Sequence, residues 1–321
     1  MTALPVLDAH QHFWDLRAHR YPWLSGPARV PFRYGDYGAI CRDYLPVDYR
    51  ADAAGCEVVA TVHVEAEIAH DEAEAETGWL EGLAAREGLP SACVVQARLN
   101  HAEVDALLAA QAGHAISRGV RHKPTVASAP DRVERALPGA MDDPAWRRGY
   151  ALLGRHGFSF DLQAPWWHAE QAASLAADFP DTLLVIDHTF LPADRSAEGL
   201  AGWRRALELV ARQPNVALKI SGLGVAGQPW PAAGNAALIR DAIAIMGWQR
   251  CLFASNFPVD SLVASFGQVL RTFLDAIADR PEHQRRALLH SNATHCYRVD
   301  VAMRPDAPRE TLGGHHANHP P

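Results

Sequence analysis

Short apolar runs rich in β-branched residues alternate along the chain with longer stretches whose apolar positions recur at helical spacing. The apolar runs lie at residues 6–12, 57–65, 92–99, 116–122, 158–163, 182–188, 216–221 and 251–256. Alanine-rich stretches of helical period lie at residues 70–86, 102–112, 144–156, 168–179, 200–212, 235–246 and 261–278. The pattern predicts eight strands that alternate with helices.

The apolar runs are almost continuously hydrophobic, which is typical of parallel strands covered by helices. The chain has 321 residues, and no Pro/Gly/Ser-rich linker divides it into halves. We therefore predict one domain over residues 1–302, a (β/α)8 TIM barrel, with a doubly wound sheet as the main alternative. Residues 303–321 are polar and contain four prolines, and we predict that they form a disordered tail.

A long irregular segment, residues 17–44, follows the first predicted strand. A loop of this length in a compact domain is usually functional, often as a lid over a site. The alternative is a surface loop without a direct role. As a lid, the segment would have an apolar underside formed by Tyr21, Trp23, Phe32 and Tyr34.

Composition excludes several classes of partner. The net charge is −7 and no basic run is present, which argues against nucleic acid. No apolar window is long enough to span a membrane, and the N-terminus lacks the pattern of a signal peptide. The five cysteines are scattered, odd in number and without a Cys-x-x-Cys pair, which is typical of a reduced, cytoplasmic protein. The oligomeric state stays open, a homo-oligomer included.

Polar side chains end nearly every predicted strand, where the active site of a TIM barrel lies. These residues are His10 and His12, His63 and Glu65, Arg98, Arg121 and His122, Asp161 and Gln163, Asp187 and His188, Lys219 and Ser221, and Asn256. Burying so many charged groups unpaired would be costly. We therefore predict that they converge on one polar pocket.

His10 and His12 are two residues apart, so in a strand they project to the same face. Neutral imidazole nitrogen is a good ligand for zinc, and the pair is a candidate site for one divalent metal ion. His188, at the end of the sixth strand, is the natural third ligand. The alternatives are a chance spacing for the pair and a structural hydrogen bond for His188.

The other strand-end residues are predicted to contact a small-molecule substrate. Arg121 is suited to a substrate carboxylate, or else forms a salt bridge with Asp161 or Glu65. Lys219 could polarise a carbonyl, orient a carboxylate or pair with Glu65. Trp166 would wall the pocket or pack between helices. The complete predicted substrate-contacting set is Arg121, His122, Glu65, Arg98, Asp161 and Trp166.

The first strand and its surroundings, Leu7-Asp8-Ala9-His10-Gln11-His12-Phe13-Trp14-Asp15, resemble the opening of the amidohydrolase superfamily. More narrowly, the chain is similar to the branch that contains sugar lactonases and 2-pyrone-4,6-dicarboxylate lactonases. The further matching segments are His63-Val64-Glu65-Ala66, Gly119-Val120-Arg121, Asp187-His188, Leu218-Lys219-Ile220-Ser221-Gly222-Leu223, Cys251 to Val259, and Asn292-Ala293-Thr294-His295-Cys296-Tyr297.

The resemblance implies a barrel in which His10, His12 and His188 surround a metal or the substrate, with Arg121 facing an acidic or hydroxylated substrate. Relatives usually carry Gly-Ser-Asp-aromatic-Pro at the eighth strand, with the aspartate as base for the attacking water. This chain has Asn256 at the aspartate's position, and an amide cannot accept a proton near neutral pH.

Asp260, four residues after Asn256, is the nearest candidate for the missing base. Its alternative role is the N-cap of the following helix. Glu65 and Asp161 are the other carboxylates that we expect within reach.

By this resemblance, the leading functional hypothesis is hydrolysis of a small cyclic ester, a lactone of a sugar acid or dicarboxylate. Two alternatives stay open: non-oxidative decarboxylation of an aromatic or enolic acid on the same histidine cluster, and a barrel that binds a small acid without turnover.

Overall fold

The computed structural model describes residues 4–299, in which eight parallel strands form one sheet in sequential order. The strands are β1 (Val6–Gln11), β2 (Val58–Val64), β3 (Ala92–Gln96), β4 (Ser117–Arg121), β5 (Ser159–Leu162), β6 (Leu184–Ile186), β7 (Val216–Ile220) and β8 (Cys251–Phe253). A parallel bridge between Gln11 and Phe257 joins the chain after β8 to β1. The predicted (β/α)8 barrel is thereby confirmed.

The helices surround this barrel, with α1 over its mouth and α11 at its N-terminal end. They are α1 (Pro22–Ser25), α2 (Pro46–Asp52), α3 (Ala73–Glu87), α4 (Val104–Ala112), α5 (Pro144–Tyr150), α6 (Ala169–Asp178), α7 (Ala197–Val210), α8 (Ala232–Met246), α9 (Phe266–Ala276), α10 (Glu282–Arg286) and α11 (Asn292–Tyr297). Seven of them, α3 to α9, correspond to the predicted helical stretches. No helix within residues 4–299 combines the length and apolarity that a membrane span requires. The predicted disordered tail, residues 303–321, lies outside the described residues.

Two apolar layers stabilise the barrel. The larger lies between the sheet and the helices, and the smaller fills the barrel interior with side chains such as Leu7, Val62 and Val185. The last helix, α11, closes the N-terminal end of the barrel. Its Asn292 Nδ2 donates to the carbonyls of Trp248 and Cys251, at 2.7 and 2.8 Å.

An irregularity in β1 decides which face its histidines occupy. Leu7 and Ala9 belong to the interior cluster, so strict alternation would direct the even-numbered residues outward. The pairing with β2 shifts between Asp8 and Gln11, where β1 gains one residue. After the shift, Gln11 bonds to Thr61 at 3.2 Å, and His10 and His12 turn into the barrel. A bulge of this kind re-aims side chains near a site.

The segment between β1 and α2, here called the β1–α2 loop, folds back over the barrel mouth. Trp23 Nε1 donates to the carbonyl of Ala66 at 2.8 Å, and Tyr21 Oη donates to Glu76 Oε1 at 3.1 Å. Burial raises the pKa of Glu76 to about 8. His63 Nε2 lies 3.9 Å from the same carboxyl group, and burial lowers the pKa of His63 to about 3. The loop therefore rests on Glu76 and His63, which both stay uncharged near neutral pH.

Close packing of α5 against the end of β3 makes Gly149 a test of the fold. A Cβ at Gly149 would lie 1.9 Å from the backbone oxygen of Leu99, whereas nothing lies within 4 Å of a Cβ at Gly234 in α8. We expect Gly149→Ala to lower the free energy of unfolding by about 1–3 kcal/mol. The matched change Gly234→Ala should raise it by about 0.5–1 kcal/mol through helix propensity. Urea denaturation of both variants measures the difference, and equal effects would contradict this packing.

The buried carboxyl group of Glu76 predicts a pH-dependent stability. Its pKa is higher in the folded than in the unfolded chain, so the folded state binds more protons and loses stability as the pH rises from about 4.5 to 8. Glu76→Gln removes this loss. We therefore expect the difference in melting temperature between Glu76→Gln and the unmodified protein to become more favourable to the variant as the pH rises from 5 to 8.5. Glu74→Gln, an exposed change of the same charge on α3, is the control; the same pH trend in both variants would contradict the explanation.

Candidate active site

A cavity of about 340 Å³ opens at the C-terminal mouth of the barrel. Its lining residues are His12, Trp23, Val30, Pro31, Phe32, Arg33, Ala66, Glu67, Arg121, Lys123, Gln163, His188, Asn256 and Val259. Strand ends supply the polar floor, and the β1–α2 loop supplies an aromatic wall in which Trp23 stacks on Phe32 at 5.7 Å. The loop thus covers the cavity, as expected of a lid.

The structure brings the three predicted metal-ligating histidines together. His10 Nε2 lies 3.3 Å from His12 Nε2, and the rings of His10 and His188 are 4.6 Å apart between centroids. The sequence analysis did not assign Asp187 to this group, yet one ligand atom each of His10, Asp187 and His188 lies within 4.8 Å of the others.

Hydrogen bonds at the opposite ring nitrogens fix the two imidazoles of the first strand. His12 Nδ1 faces the carbonyl of Val64 at 2.7 Å, and His10 Nδ1 faces Asp187 Oδ1 at 3.2 Å. A carbonyl can only accept, so His12 Nδ1 carries the proton and His12 Nε2 presents a lone pair. The Asp187 carboxylate favours the same tautomer of His10. In that tautomer two lone pairs face each other at 3.3 Å, a donor set suited to a cation between them.

The same histidines are neutral near physiological pH. Burial, followed by the charges of nearby lysine and arginine side chains, holds the pKa values of His10, His12 and His188 well below the ordinary value. The neutral imidazole is the form that binds metal or accepts a proton.

Lys219 lies below the histidines and outside the cavity lining. Its buried ammonium group pairs with Asp161 and lies 3.4 Å from Asp187 Oδ1 and from His10 Nδ1. Tyr297 of α11 donates to Asp161 at 3.0 Å. Burial raises the pKa of Asp161 to about 6. Burial also acts to raise the pKa of Asp187, but Lys219 and other nearby charges outweigh it and lower that pKa. The expected alternative, pairing of Lys219 with Glu65, is wrong because Glu65 pairs with an arginine.

That arginine is Arg121. Its Nε donates to Glu65 Oε1 at 2.6 Å, its Nη1 donates to Gln163 Oε1 at 3.3 Å, and Nη1 lies 3.7 Å from Asp187 Oδ2. Arg121 therefore lines the cavity while a buried carboxylate already binds it. Two cations, Arg121 and Lys219, thus face three carboxylates, those of Glu65, Asp161 and Asp187. This surplus of negative charge beside neutral imidazoles fits a divalent cation.

Asp260 connects the end of β8 with the lid. Its Oδ1 accepts from Asn256 Nδ2 at 2.6 Å, from Tyr34 Oη at 3.0 Å and from Arg33 Nη2 at 3.2 Å. Its Oδ2 accepts the N–H of Gly222 at 3.2 Å. Burial raises its pKa. The carboxylate thus holds the lid against the barrel, with Asn256 between it and the cavity.

The alternative interpretation of Asp260 as a helix N-cap is wrong. Helix α9 begins after Ser265, whose hydroxyl accepts the N–H of Gln268 at 3.3 Å, while the Gln268 side chain bonds back to Ser265. Within residues 4–299, no hydrogen bond or ion pair joins Asp260 to His10 or His12.

Of the six predicted substrate-contacting residues, Arg121 lines the cavity formed by the described residues. Glu65 and Asp161 are not part of the lining and are buried as the ion-pair partners of Arg121 and Lys219. The other three, His122, Trp166 and Arg98, are also absent from the lining. The ring of His122 stacks on Trp146 at 6.3 Å and accepts the N–H of Leu99. Trp166 packs against Gly202 of α7, where a Cβ would lie 2.4 Å from its ring. Arg98 is exposed. His122 alternates with Arg121 along β4 and so faces the helices, not the interior.

Sequence reasoning missed three charged residues of the cavity: Arg33, Glu67 and Lys123. Glu67 and Lys123 pair at 2.7 Å. They follow Glu65 and Arg121 by two residues, so the strand period could have indicated both. Arg33 lies in the irregular loop, where no periodicity indicates its direction.

Comparisons with known proteins agree with this geometry. The family model for amidohydrolases matches residues 7–299. An uncharacterised protein of Sinorhizobium fredii, y4mH, is 36% identical over 93% of this chain and 100% of its own length. An L-fucono-1,5-lactonase of Burkholderia multivorans is 30% identical over 92% of this chain and 97% of its own. A crystal structure of a Burkholderia multivorans amidohydrolase with bound zinc is 28% identical, covers 92% of this chain and 99% of its own, and gives a TM-score of 0.75.

The resemblance drawn from the strand-end motifs is confirmed by these matches, which extend over almost all of the described barrel. With its histidines, arginine and lysine at the barrel mouth, the chain belongs to the amidohydrolase family of enzymes.

Proposed function

We propose that this enzyme hydrolyses a small lactone in the cavity at the barrel mouth. The observation that carries the proposal is the set of neutral histidines, His10, His12 and His188, gathered at the floor of a covered cavity. The similarity to an L-fucono-1,5-lactonase supports a cyclic ester as the substrate. Fold alone would not select this reaction.

One divalent metal ion fits the donor set. We infer that His10, His12 and His188 would hold it, with Asp187 beside them, and zinc is the proposed ion because a relative with this fold binds zinc. When bound, such an ion supplies Lewis acidity to a carbonyl and lowers the pKa of a coordinated water. This assignment is supported by the facing Nε2 atoms of His10 and His12 and by the surplus of buried carboxylates.

The chain's own residues then position the substrate and exclude water. Arg121 and Gln163 present N–H and amide groups to the oxygens of a lactone, and Trp23 and Phe32 cover an apolar ring face. Lys219 acts indirectly: through Asp187 it fixes the charge and orientation of His10. We therefore propose a positioning role for Lys219 in place of carbonyl polarisation.

Asn256 and Asp260 divide the work that one aspartate does in relatives. Because Nδ2 of Asn256 donates to Asp260, Oδ1 of Asn256 stays available to orient a water. An amide oxygen does this without taking a proton. Asp260 accepts four hydrogen bonds, from Asn256, Tyr34, Arg33 and Gly222, which occupy its oxygens, and Asn256 lies between it and the cavity. We propose that Asp260 holds Asn256 and the lid in place. The alternative is that Asp260 acts as the base, as the sequence suggested, and turnover of Asp260→Asn distinguishes the two roles.

The first experiment measures acid release from a panel of five- and six-membered sugar-acid and dicarboxylate lactones. We expect turnover by the zinc-loaded enzyme. His12→Gln should lose the metal, measured by elemental analysis, and lower kcat/KM at least about 100-fold, since it removes a ligand and a cavity-lining imidazole. His122→Gln changes a histidine that faces the helices and should keep both.

The result that would overturn this proposal is equally specific. Carbon dioxide release from an aromatic acid, with no acid release from any lactone, would favour the decarboxylase. Equal metal content and equal activity in the two histidine variants would remove the cluster from the reaction.

The amide–carboxylate pair gives a second prediction. Asn256→Asp places a carboxylate within hydrogen-bond distance of Asp260, so the shared proton raises the folded-state pKa of the pair. We expect stability to fall as the pH rises above about 4, with a larger loss of melting temperature at pH 8 than at pH 5. The double variant N256D/D260N restores one amide and one carboxylate, and should recover most of the loss.

Turnover of Asp260→Asn separates the two roles of Asp260. Loss of a general base would lower kcat by about 10²–10⁴-fold with little change in stability. The holding role instead lowers the melting temperature and changes kcat less than about tenfold. An Asn256→Asp protein as stable as the original at both pH values would contradict the pairing.

A further inference from the structure

We propose that the preferred substrate is an acidic lactone, and that Arg33 of the β1–α2 loop binds its carboxylate. This inference rests on the proposed lactone hydrolysis and adds the charge class of the substrate and the residue that selects it. From the sequence, Arg121 is the residue predicted to bind a substrate carboxylate.

The bonding of the cavity's cations points to Arg33. The Arg33 side chain is 26% exposed and its Nη2 lies 3.2 Å from Asp260 Oδ1. Its Nη1 is buried and has no hydrogen-bond partner among the described residues. A guanidinium group carries five donors in a fixed fork, and a buried donor without an acceptor is costly. A carboxylate in the cavity would supply acceptors to the exposed part of this guanidinium group.

The other two cations of the cavity have close carboxylate partners. Arg121 donates to Glu65 at 2.6 Å and is only 3% exposed, and Lys123 lies 2.7 Å from Glu67. A substrate anion would have to compete with these contacts. At Arg33 the contact with the Asp260 carboxylate is longer, at 3.2 Å, and 26% of the side chain is exposed, so a substrate anion meets less competition there.

Arg33 is also held in place before the substrate arrives. Its guanidinium carbon lies 4.5 Å from the ring centroid of Tyr34, and Asp260 accepts hydrogen bonds from both residues. A side chain that is already fixed loses less entropy when it binds a ligand.

Gly222 sets how close Arg33 lies to the histidines. A Cβ at Gly222 would lie 2.9 Å from Arg33 Nη1 and 2.7 Å from His188 Cβ. The guanidinium and His188 therefore both border the space that a side chain at position 222 would fill. A carboxylate bound to Arg33 would leave the lactone ring of the same small molecule beside the histidine cluster.

These positions define the substrate class. The cavity volume of about 340 Å³ suits a small molecule. The aromatic wall of Trp23 and Phe32 suits a flat or apolar ring face, and Arg33 suits one carboxylate attached to that ring. We therefore assign a lactone that bears a free carboxylate, as distinct from a neutral sugar lactone.

The test compares an acidic lactone with the neutral methyl ester of the same ring, using Arg33→Gln and the control Arg29→Gln. Arg29 lies on the same loop, bonds to the carbonyl of Leu24 and is not part of the cavity lining. We expect Arg33→Gln to lower the preference for the acid over the ester by about 10–100-fold, mainly through KM, as for loss of a charge-assisted hydrogen bond. Arg29→Gln should keep the preference.

A binding measurement makes the inference independent of turnover. Titration calorimetry with malonate and succinate on the purified protein should show binding that Arg33→Gln weakens at least about tenfold and Arg29→Gln does not. Unchanged preference and unchanged dicarboxylate binding in Arg33→Gln would overturn the inference while leaving lactone hydrolysis in place. Turnover of neither lactone would instead overturn the proposed function, and the calorimetry would still decide the role of Arg33.

Discussion

The buried ammonium group of Lys219 is the charge on which the interior of this barrel depends. It has no exposed surface and lies between Asp161 and Asp187, which come from two other strands. Removing one partner of a buried ion pair costs about 3–5 kcal/mol, because the other charge stays buried without compensation. Tyr297 of α11 adds a donor to Asp161, so the same pair connects the helix that closes the barrel with the strands that form the site.

Asp187 carries this charge balance to the histidines, since one of its oxygens faces both Lys219 and His10. Above it the imidazoles are neutral chiefly because they are buried. The charged residues that line the cavity are Arg33, Glu67, Arg121 and Lys123. The mouth therefore has two levels: at the floor, the carboxylates of Asp161, Asp187 and Glu65 outnumber the cations and suit a metal ion, and at the upper wall the partly exposed Arg33 suits an acidic substrate. A ligand that contacts both levels is oriented by charge before it is oriented by shape.

The amide at position 256 changes the architecture as well as the chemistry. An aspartate there would lie within 2.6 Å of Asp260, and two carboxylates at that distance cannot both be ionised without a large cost. With asparagine, Asp260 is free to accept hydrogen bonds from Tyr34 and Arg33, and the lid becomes attached to β8. The asparagine at the end of β8 thus allows Asp260 to bind the lid. The lid in turn places Arg33 at the cavity.

The sequence by itself determined the alternation of strands and helices, and with it the barrel, because hydrophobic periodicity is a local property. It also determined that His10 and His12 share a face. Tertiary structure decided which face, since the shifted pairing of β1 with β2 turns both inward. It likewise directed His122 and Trp166 toward the helices and brought Arg33 from an aperiodic loop to the cavity. Spacing specifies relative direction within a strand, whereas register and loop closure depend on contacts between residues far apart in the chain.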